Sequence, residues 1–419
     1  MTIKNFIPVF LFGILFFVAC KDSGVQHQVA GMDSSFSQNE FGYDLHFLME
    51  QDSTLVVLKD GDAALIVSPK YQAKVFTSTA SGDRGFSFGW INYRAFGKEI
   101  DVHMNAFGGE NRIWLGPEGG RYSLFFKADS PMVYENWKTP PPFDTESWIL
   151  YRRDSHQVVL FKNMSLTNYQ GVKLSLRVDR TVNLLRRDQI ADQVGIKGND
   201  SLHIIAYETE NQLTNTGDFP WTAATGMPCI WMLDMFKPTA STIIVLPFKY
   251  FEGERWDQVA TTNYFGQIPS ERLQHTDSLL FFKADGKSRG KLGIRPKNAK
   301  NIAGSYDPEN SVLTIIIFEV DASYPYLNQE WNTVKPPFSG DAVNAYNDGP
   351  LTNGTQMGPF YEMESVSPAA YLKPKETLSH KHSVFHFSGS VEELNKISLQ
   401  LLGNPLADLR QVFAGGKKS

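Results

Sequence analysis

Three short stretches of this chain carry side chains able to do chemistry. Residues 103–120 read HMNAFGGENRIWLGPEGG, residues 340–350 read GDAVNAYNDGP, and residues 361–386 contain YEMES followed by SHKHSVFH. In the first, alternation along a strand predicts that His103 and Asn105 share a face. A turn or bulge is expected at Gly108-Gly109, after which Arg112 and Trp114 share a face, and a second turn presents Glu118. His103, Asn105, Glu110, Arg112, Trp114 and Glu118 are therefore candidate ligand-binding residues. Planar donors and acceptors suit sugar hydroxyls, and an aromatic ring suits the C–H face of a pyranose. The competing reading is a salt-bridged strand pair, Arg112 with Glu110 or Glu118, beside a core Trp.

In the second stretch Asn347-Asp348-Gly349 is a turn signal that accounts for Asn347 and Gly349 by itself. Asn344 and Asp348 remain as candidate ligand contacts. In the third, Glu362 and Glu364 share a strand face, as do His380, His382 and His386. H-x-H on one strand facing E-x-E on its neighbour has three readings. It can be a metal site of Glu364, His380 and His382, an acid–base set of Glu364, His382, Glu362 and His380, or a solvated polar face. A divalent metal is the only cofactor this pattern admits, and none is expected. No dinucleotide fingerprint, P-loop, G-x-S-x-G or H-E-x-x-H motif is present, so no nucleotide cofactor and no serine-hydrolase chemistry is expected.

These side chains must be positioned by strands. Runs such as DAALIVSP, YSLFF, HQVVLF, VKLSLRV, LHIIAYET, STIIVLPF, SLLFF and SVLTIIIFEV are β-rich and bounded by turn residues. Helical periodicity is confined to the end. Ser390 and Glu393 form a capping box before Leu394, Ile397 and Leu401, residues 404–419 read as a C-terminal tail, and its AGGKKS end (414–419) is expected to fray. Pairs of phrases nearly repeat: YSLFFKAD with DSLLFFKAD, LTNYQG with LTNTGD, and WKTPPPF with WNTVKPPF. Their unequal intervals exclude a solenoid and leave equivalent strand ends or chance. The proline-rich phrases are expected to be rigid rim loops carrying Trp137, Trp148 and Trp331. With no internal linker, residues 38–403 are expected to form one all-β domain, a large antiparallel sandwich with a short C-terminal helix.

The N-terminus reads as an address. Lys4 precedes an apolar run of 14 residues, 6–19, too short for a span of about 20 residues but suited to a signal peptide. The run ends FVAC, which resembles a bacterial lipobox with Phe17 in place of the usual Leu. The expectation is a signal peptide over 1–19, lipidation of Cys20, a tether over 20–37, and a cell-envelope location on a membrane anchor. A plain secretory signal is the alternative. Cys229, among apolar neighbours, is expected to be an inert core thiol. A net charge of −5 argues against a nucleic-acid partner.

The stretch GPFYEMESVSPAAYLKPKETLSHKHSVFHF (358–387) resembles the closing strands of the galactose-mutarotase-like superfamily, where a Glu-bearing strand precedes a Leu-x-Pro-Gly-Glu turn and a long final strand. Here the turn reads Leu372-Lys373-Pro374-Lys375-Glu376, with Lys in place of Gly. The whole chain, GGENRIWLGPEGG and GDAVNAYNDGP included, also resembles a family of uncharacterised bacterial lipoproteins assigned to that superfamily. The resemblance implies a β-supersandwich with a sugar-sized concave face and a carbohydrate ligand. In mutarotases the base is a Glu on a late strand and the acid is a His. Glu364 or Glu362 with His380 or His382 are the nearest matches, so epimerase, lyase or hydrolase chemistry is one expectation and non-catalytic glycan binding the other.

Overall fold

The computed structural model describes residues 35–199 and 201–413. The expected signal peptide, Cys20 and most of the expected tether lie outside the described residues. The all-β expectation holds. Three antiparallel sheets of ten, six and three strands carry the fold, and among the described residues no α-helix exceeds 11 residues. None of these helices is long and apolar enough to cross a membrane.

The six-stranded sheet runs in the order Ala260–Thr261, Gly290–Ile294, Val343–Asn347, Tyr361–Val366, Cys229–Phe236 and Arg112–Gly116. Its inner face packs on the ten-stranded sheet, whose centre is Val312–Phe318, Thr377–Gly389, Leu202–Asn215 and Lys173–Leu184. One apolar core joins the two, with Met363, Ala345 and Leu292 from the smaller sheet meeting Val178, Leu213 and Val384 from the larger. Lys173–Leu184 alternates strictly between covered and half-covered positions, as VKLSLRV predicts. The expected run YSLFF is not a strand. Residues 122–126 form turns, so YSLFFKAD and DSLLFFKAD are not structural equivalents.

Ser390 caps the helix Val391–Leu401 by accepting from the Glu393 amide at 3.3 Å, and Leu394 and Ile397 cover the outer face of the larger sheet over Phe385 and Phe387. The C-terminal tail expected over 404–419 carries a further helix, Leu406–Val412, and its AGGKKS end lies outside the described residues. Leu406 and Leu409 are fully buried in the same cluster, and that apolar burial offsets the ordering cost. A helix over Phe41–Gln51, packed on the three-stranded sheet through Phe41, Phe47 and Leu48, was not legible. Its N-cap Glu40 makes no capping hydrogen bond, so no start signal marked it. Cys229 is buried, and burial pushes its thiol up to about 12, the inert state expected of it.

Candidate functional site

The outer face of the six-stranded sheet is where chemistry collects. Register aligns Arg112, Leu233, Glu364 and Asn344 across four strands, and Met235, Glu362, Tyr346 and Lys291 two residues along. Side chains in register share a face, so Arg112, Trp114, Trp231, Lys291, Tyr346 and both Glu of YEMES project to one side. Loops close over this face to leave a cleft of about 420 Å³, within the range of small-ligand sites.

Four Trp line it, namely 114, 137, 231 and 331. Trp137 and Trp331 stack with ring centres 5.9 Å apart, so the echoed phrases WKTPPPF and WNTVKPPF bring their two Trp together. Trp148, expected on the rim, is instead buried and donates to the Pro142 carbonyl at 2.9 Å. The other echo, LTNYQG with LTNTGD, marks two strand ends in the larger sheet. Asn168 and Asn215 each accept from a backbone amide two residues on, at 3.0 and 2.9 Å.

Four of the charged residues sit in two matched pairs. Arg112 donates to Glu362 and lies over the Trp114 ring. Lys291 donates to Glu364 at 2.8 Å and lies over Trp231 with Nζ 4.5 Å from the ring centre. The Trp231 indole donates to the same Glu364 oxygen at 2.8 Å. Glu364 is fully buried beneath the cleft, where it fixes an aromatic ring and a cation. Glu362 lines the cleft itself. Burial raises its pKa to about 7 against the pull of Arg112, and the nearby Glu364 adds to the rise. Glu118 also lines the cleft, and burial raises its pKa while Lys291 and Trp331 draw it down. Its turn lies so close to the 328–332 segment that a Cβ at Gly119 would meet the Glu330 carbonyl oxygen at 2.2 Å. Asp348 is held by Tyr346 Oη at 3.1 Å and Gln356 Nε2 at 3.0 Å.

The remaining expected residues lie elsewhere. His103 and Asn105 are not on a strand. Asp101 accepts from the His103 amide at 2.8 Å, and Asp144 accepts from the Asn105 amide at 3.0 Å. These side-chain contacts replace a ladder. His103 stacks on Tyr134 behind the cleft wall, and Asn105 ties its loop to Asp144 through a second bond at 2.8 Å. Glu110 is inside the core, accepting from Ser78 at 2.7 Å with His386 Nε2 at 3.0 Å. Asn344 is on the right face but covered, within 3.5 Å of Tyr264 Oη.

The Glu/His pairing is not formed. The strands Tyr361–Val366 and Thr377–Gly389 belong to different sheets, not neighbouring positions of one. Ser365, which points inward between the outward Glu364 and the next outward residue, meets His382 Nδ1 at 2.8 Å and His380 Nε2 at 2.9 Å. His382 Nε2 lies 2.7 Å from Asp234, which accepts from Asn111 at 2.6 Å, and Asn111 in turn accepts from the buried Arg180. Burial and the neighbouring His382 push His380 down to about 3. Glu364 thus stands on the far side of a sheet from both His. The three cannot ligate one ion, and neither His can share a substrate with Glu364. Among the described residues no group of three or more His, Cys, Asp or Glu is arranged to hold a metal.

Sequence reasoning missed Trp231, Lys291, Arg289 and Phe265, which all line the cleft. CIWMLDMF carried a signal for the first, since alternation puts Trp231, Leu233 and Met235 on one face. A lone Lys in GKLGI carried one for the second. A larger hollow of about 870 Å³, lined by Tyr324, Tyr371, Lys249 and Lys300 among others, lies away from this sheet face. It gathers fewer of the convergent aromatic and ionic groups that mark a ligand site.

Fold and site together define an antiparallel β protein of two packed larger sheets and a third small one, with an aromatic, ion-paired cleft on the outer face of the six-stranded sheet. The chain belongs to a family of unknown function, DUF6786, whose model matches residues 39–413. No curated protein sequence matches it. Among solved structures it is similar to the Slr1438 protein of Synechocystis sp. PCC 6803, at 11% identity and a TM-score of 0.48, covering 80% of this chain and 96% of that one. A galactose mutarotase related enzyme from Lactobacillus acidophilus aligns at 10% identity and a TM-score of 0.46, over 80% and 98% of the two chains. A galactose mutarotase-like protein from Lactobacillus casei aligns at 9% and 0.46, over 79% and 99%. At such identities the likeness concerns the path of the chain and not the residues of a site.

Proposed function

We propose that the cleft binds a saccharide and that Glu362 exchanges a proton with it. The observation that carries this reading is the convergence of Trp114, Trp137, Trp231 and Trp331 with Arg112, Lys291, Glu118 and Glu362 around one small concavity. Ring faces suit the apolar side of a pyranose, and ion-paired planar groups suit its hydroxyls. A carboxyl poised near pH 7 can give or take a proton at neutral pH. Arg112 orients that carboxyl, and Glu118 is the second carboxyl on the cleft wall. The acid–base kit is therefore carboxylate with carboxylate, in place of the Glu/His pair expected from sequence. Epimerase, lyase and hydrolase chemistry all draw on such a kit.

Non-catalytic binding is the second reading, favoured by one observation: Glu362 is already engaged by Arg112. NMR of the chain with an oligosaccharide panel separates the two by reporting binding and turnover in one sample. Catalysis predicts that Glu362→Gln abolishes turnover and keeps affinity within a few-fold. Simple binding predicts no turnover from either form and a change in affinity alone. Affinity that survives both Trp137→Ala and Trp331→Ala would sink the saccharide reading itself. We further propose that the chain is an envelope lipoprotein held by a lipid on Cys20, a reading supported by the FVAC motif after its apolar run.

A further inference from the structure

Two of the three cations lining the cleft are already matched, Arg112 by Glu362 and Lys291 by Glu364. Arg289 is different. It is exposed, directly before the strand Gly290–Ile294, and its side chain has two partners among the described residues. Nε donates to Tyr346 Oη at 3.3 Å, and the guanidinium lies over Phe265 with Cζ 3.8 Å from the ring centre. Neither terminal nitrogen donates to a protein acceptor among the described residues, although Asp348, Glu118 and Glu362 line the same cleft.

This side chain is held before any ligand arrives. Tyr346 is fixed by its bond to Asp348, and Asp348 accepts from Gln356 at 3.0 Å and from the Gly358 amide at 3.2 Å. The backbone is fixed as well. Asn347 donates to the Ser288 carbonyl at 2.8 Å, and Gly349 packs so closely that a Cβ there would lie 2.4 Å from the Arg289 nitrogen. An exposed Arg usually loses rotamer freedom on binding. One clamped between a ring and a phenol has already lost much of it, so less affinity is forfeited.

We propose that Arg289 is a carboxylate-recognition residue and that the saccharide taken by the cleft carries a uronic acid. This rests on the saccharide reading above. The two free N–H edges of a guanidinium match the two oxygens of a carboxylate. A single charge is also what the surroundings accept, because Asp348, Glu118 and Glu362 would repel a dianionic phosphate more than a monoanionic carboxylate.

The test is calorimetric titration of the full chain with oligogalacturonides and oligoglucuronides, beside neutral galacto- and gluco-oligosaccharides of the same linkage and length and a sugar phosphate. The acidic ligands are expected to bind about tenfold or more tighter than their neutral counterparts at low salt, with the margin narrowing as salt is added. Arg289→Met is expected to remove that margin by weakening the acidic series about tenfold more than the neutral one, and an unaltered melting temperature shows that the variant is folded. Equal affinity for acidic and neutral ligands overturns the inference and leaves the saccharide reading standing. So does an Arg289→Met variant that weakens both series alike. Tighter binding of the sugar phosphate overturns the carboxylate assignment. Failure of every saccharide to bind removes the saccharide reading and this inference with it.

Discussion

Glu362 should make the stability of this protein fall as pH rises toward neutrality, and Glu362→Gln should remove that component. Burial, the largest influence on its carboxyl, raises the pKa from 4.5 to about 7 even with Arg112 opposing. The folded state therefore keeps a proton that the unfolded chain releases. Below about pH 4.5 both states are protonated and there is no penalty. The penalty accumulates between about 4.5 and 7 and is complete above that. At about 1.4 kcal/mol for each tenfold change in proton affinity, the full effect is about 3 kcal/mol. Gln has the same shape, still accepts from Arg112 through its amide oxygen, and never ionises. Urea unfolding of both forms at about pH 4.5, 6 and 8 isolates the effect, because groups common to both cancel in the difference. The stability of the Gln form minus that of the parent should rise by about 3 kcal/mol across the series, on top of a constant offset. A difference that stays flat or falls with pH would refute the assignment. Arg112→Ala should push the window to higher pH, since Arg112 is what draws the carboxyl down.

Lys291→Met should cost about 3–5 kcal/mol in urea unfolding, because it leaves Glu364 as a buried carboxylate without its cation. Adding Glu364→Gln should recover most of that, and a double variant no more stable than the single would count against the pairing. Asp234→Asn and His382→Ala should lower stability by about 3 kcal/mol or more while leaving saccharide affinity unchanged within about twofold, since both groups lie behind the sheet. A selective loss of affinity would return His382 to the site. Cys20→Ala should move the protein from the membrane fraction to the soluble fraction without lowering its melting temperature, and continued membrane retention would sink the lipid anchor.

Much of the fold was legible because period-two alternation survives wherever one strand face is covered. VKLSLRV is a strand in the larger sheet for that reason, and LHIIAYET is one legible from its β-rich composition. The helices Phe41–Gln51 and Leu406–Val412 were not legible, because tertiary burial and not capping or length stabilises them. In the site, alternation correctly set Arg112 with Trp114 and Glu362 with Glu364. It failed for His103 and Asn105, where Asp101 and Asp144 capture the backbone amides that a strand would have used. It also could not say that E-x-E and H-x-H lie on different sheets. Spacing along a strand reports which residues share a face, and only the packing of the second sheet reports which face looks at which.

That last distinction explains how one sequence supports two polar systems a few ångströms apart. On Tyr361–Val366 the even positions send Glu362 and Glu364 toward the cleft, while Ser365 faces inward to His380 and His382. On Cys229–Phe236 the same alternation sends Trp231 outward and Asp234 inward. A slip of one residue between these strands would carry the Glu residues into the inter-sheet layer and Ser365 into the cleft. It would leave Glu364 without Lys291 and Trp231, and His382 without Ser365. These contacts form only in the observed register, and a buried group stripped of its partner costs more than a made hydrogen bond contributes. The buried run from Arg180 through Asn111, Asp234 and His382 to Ser365 joins the two sheets and thereby fixes the register on which the cleft depends. The histidines that sequence reasoning placed at the chemistry act instead on the geometry that makes the cleft.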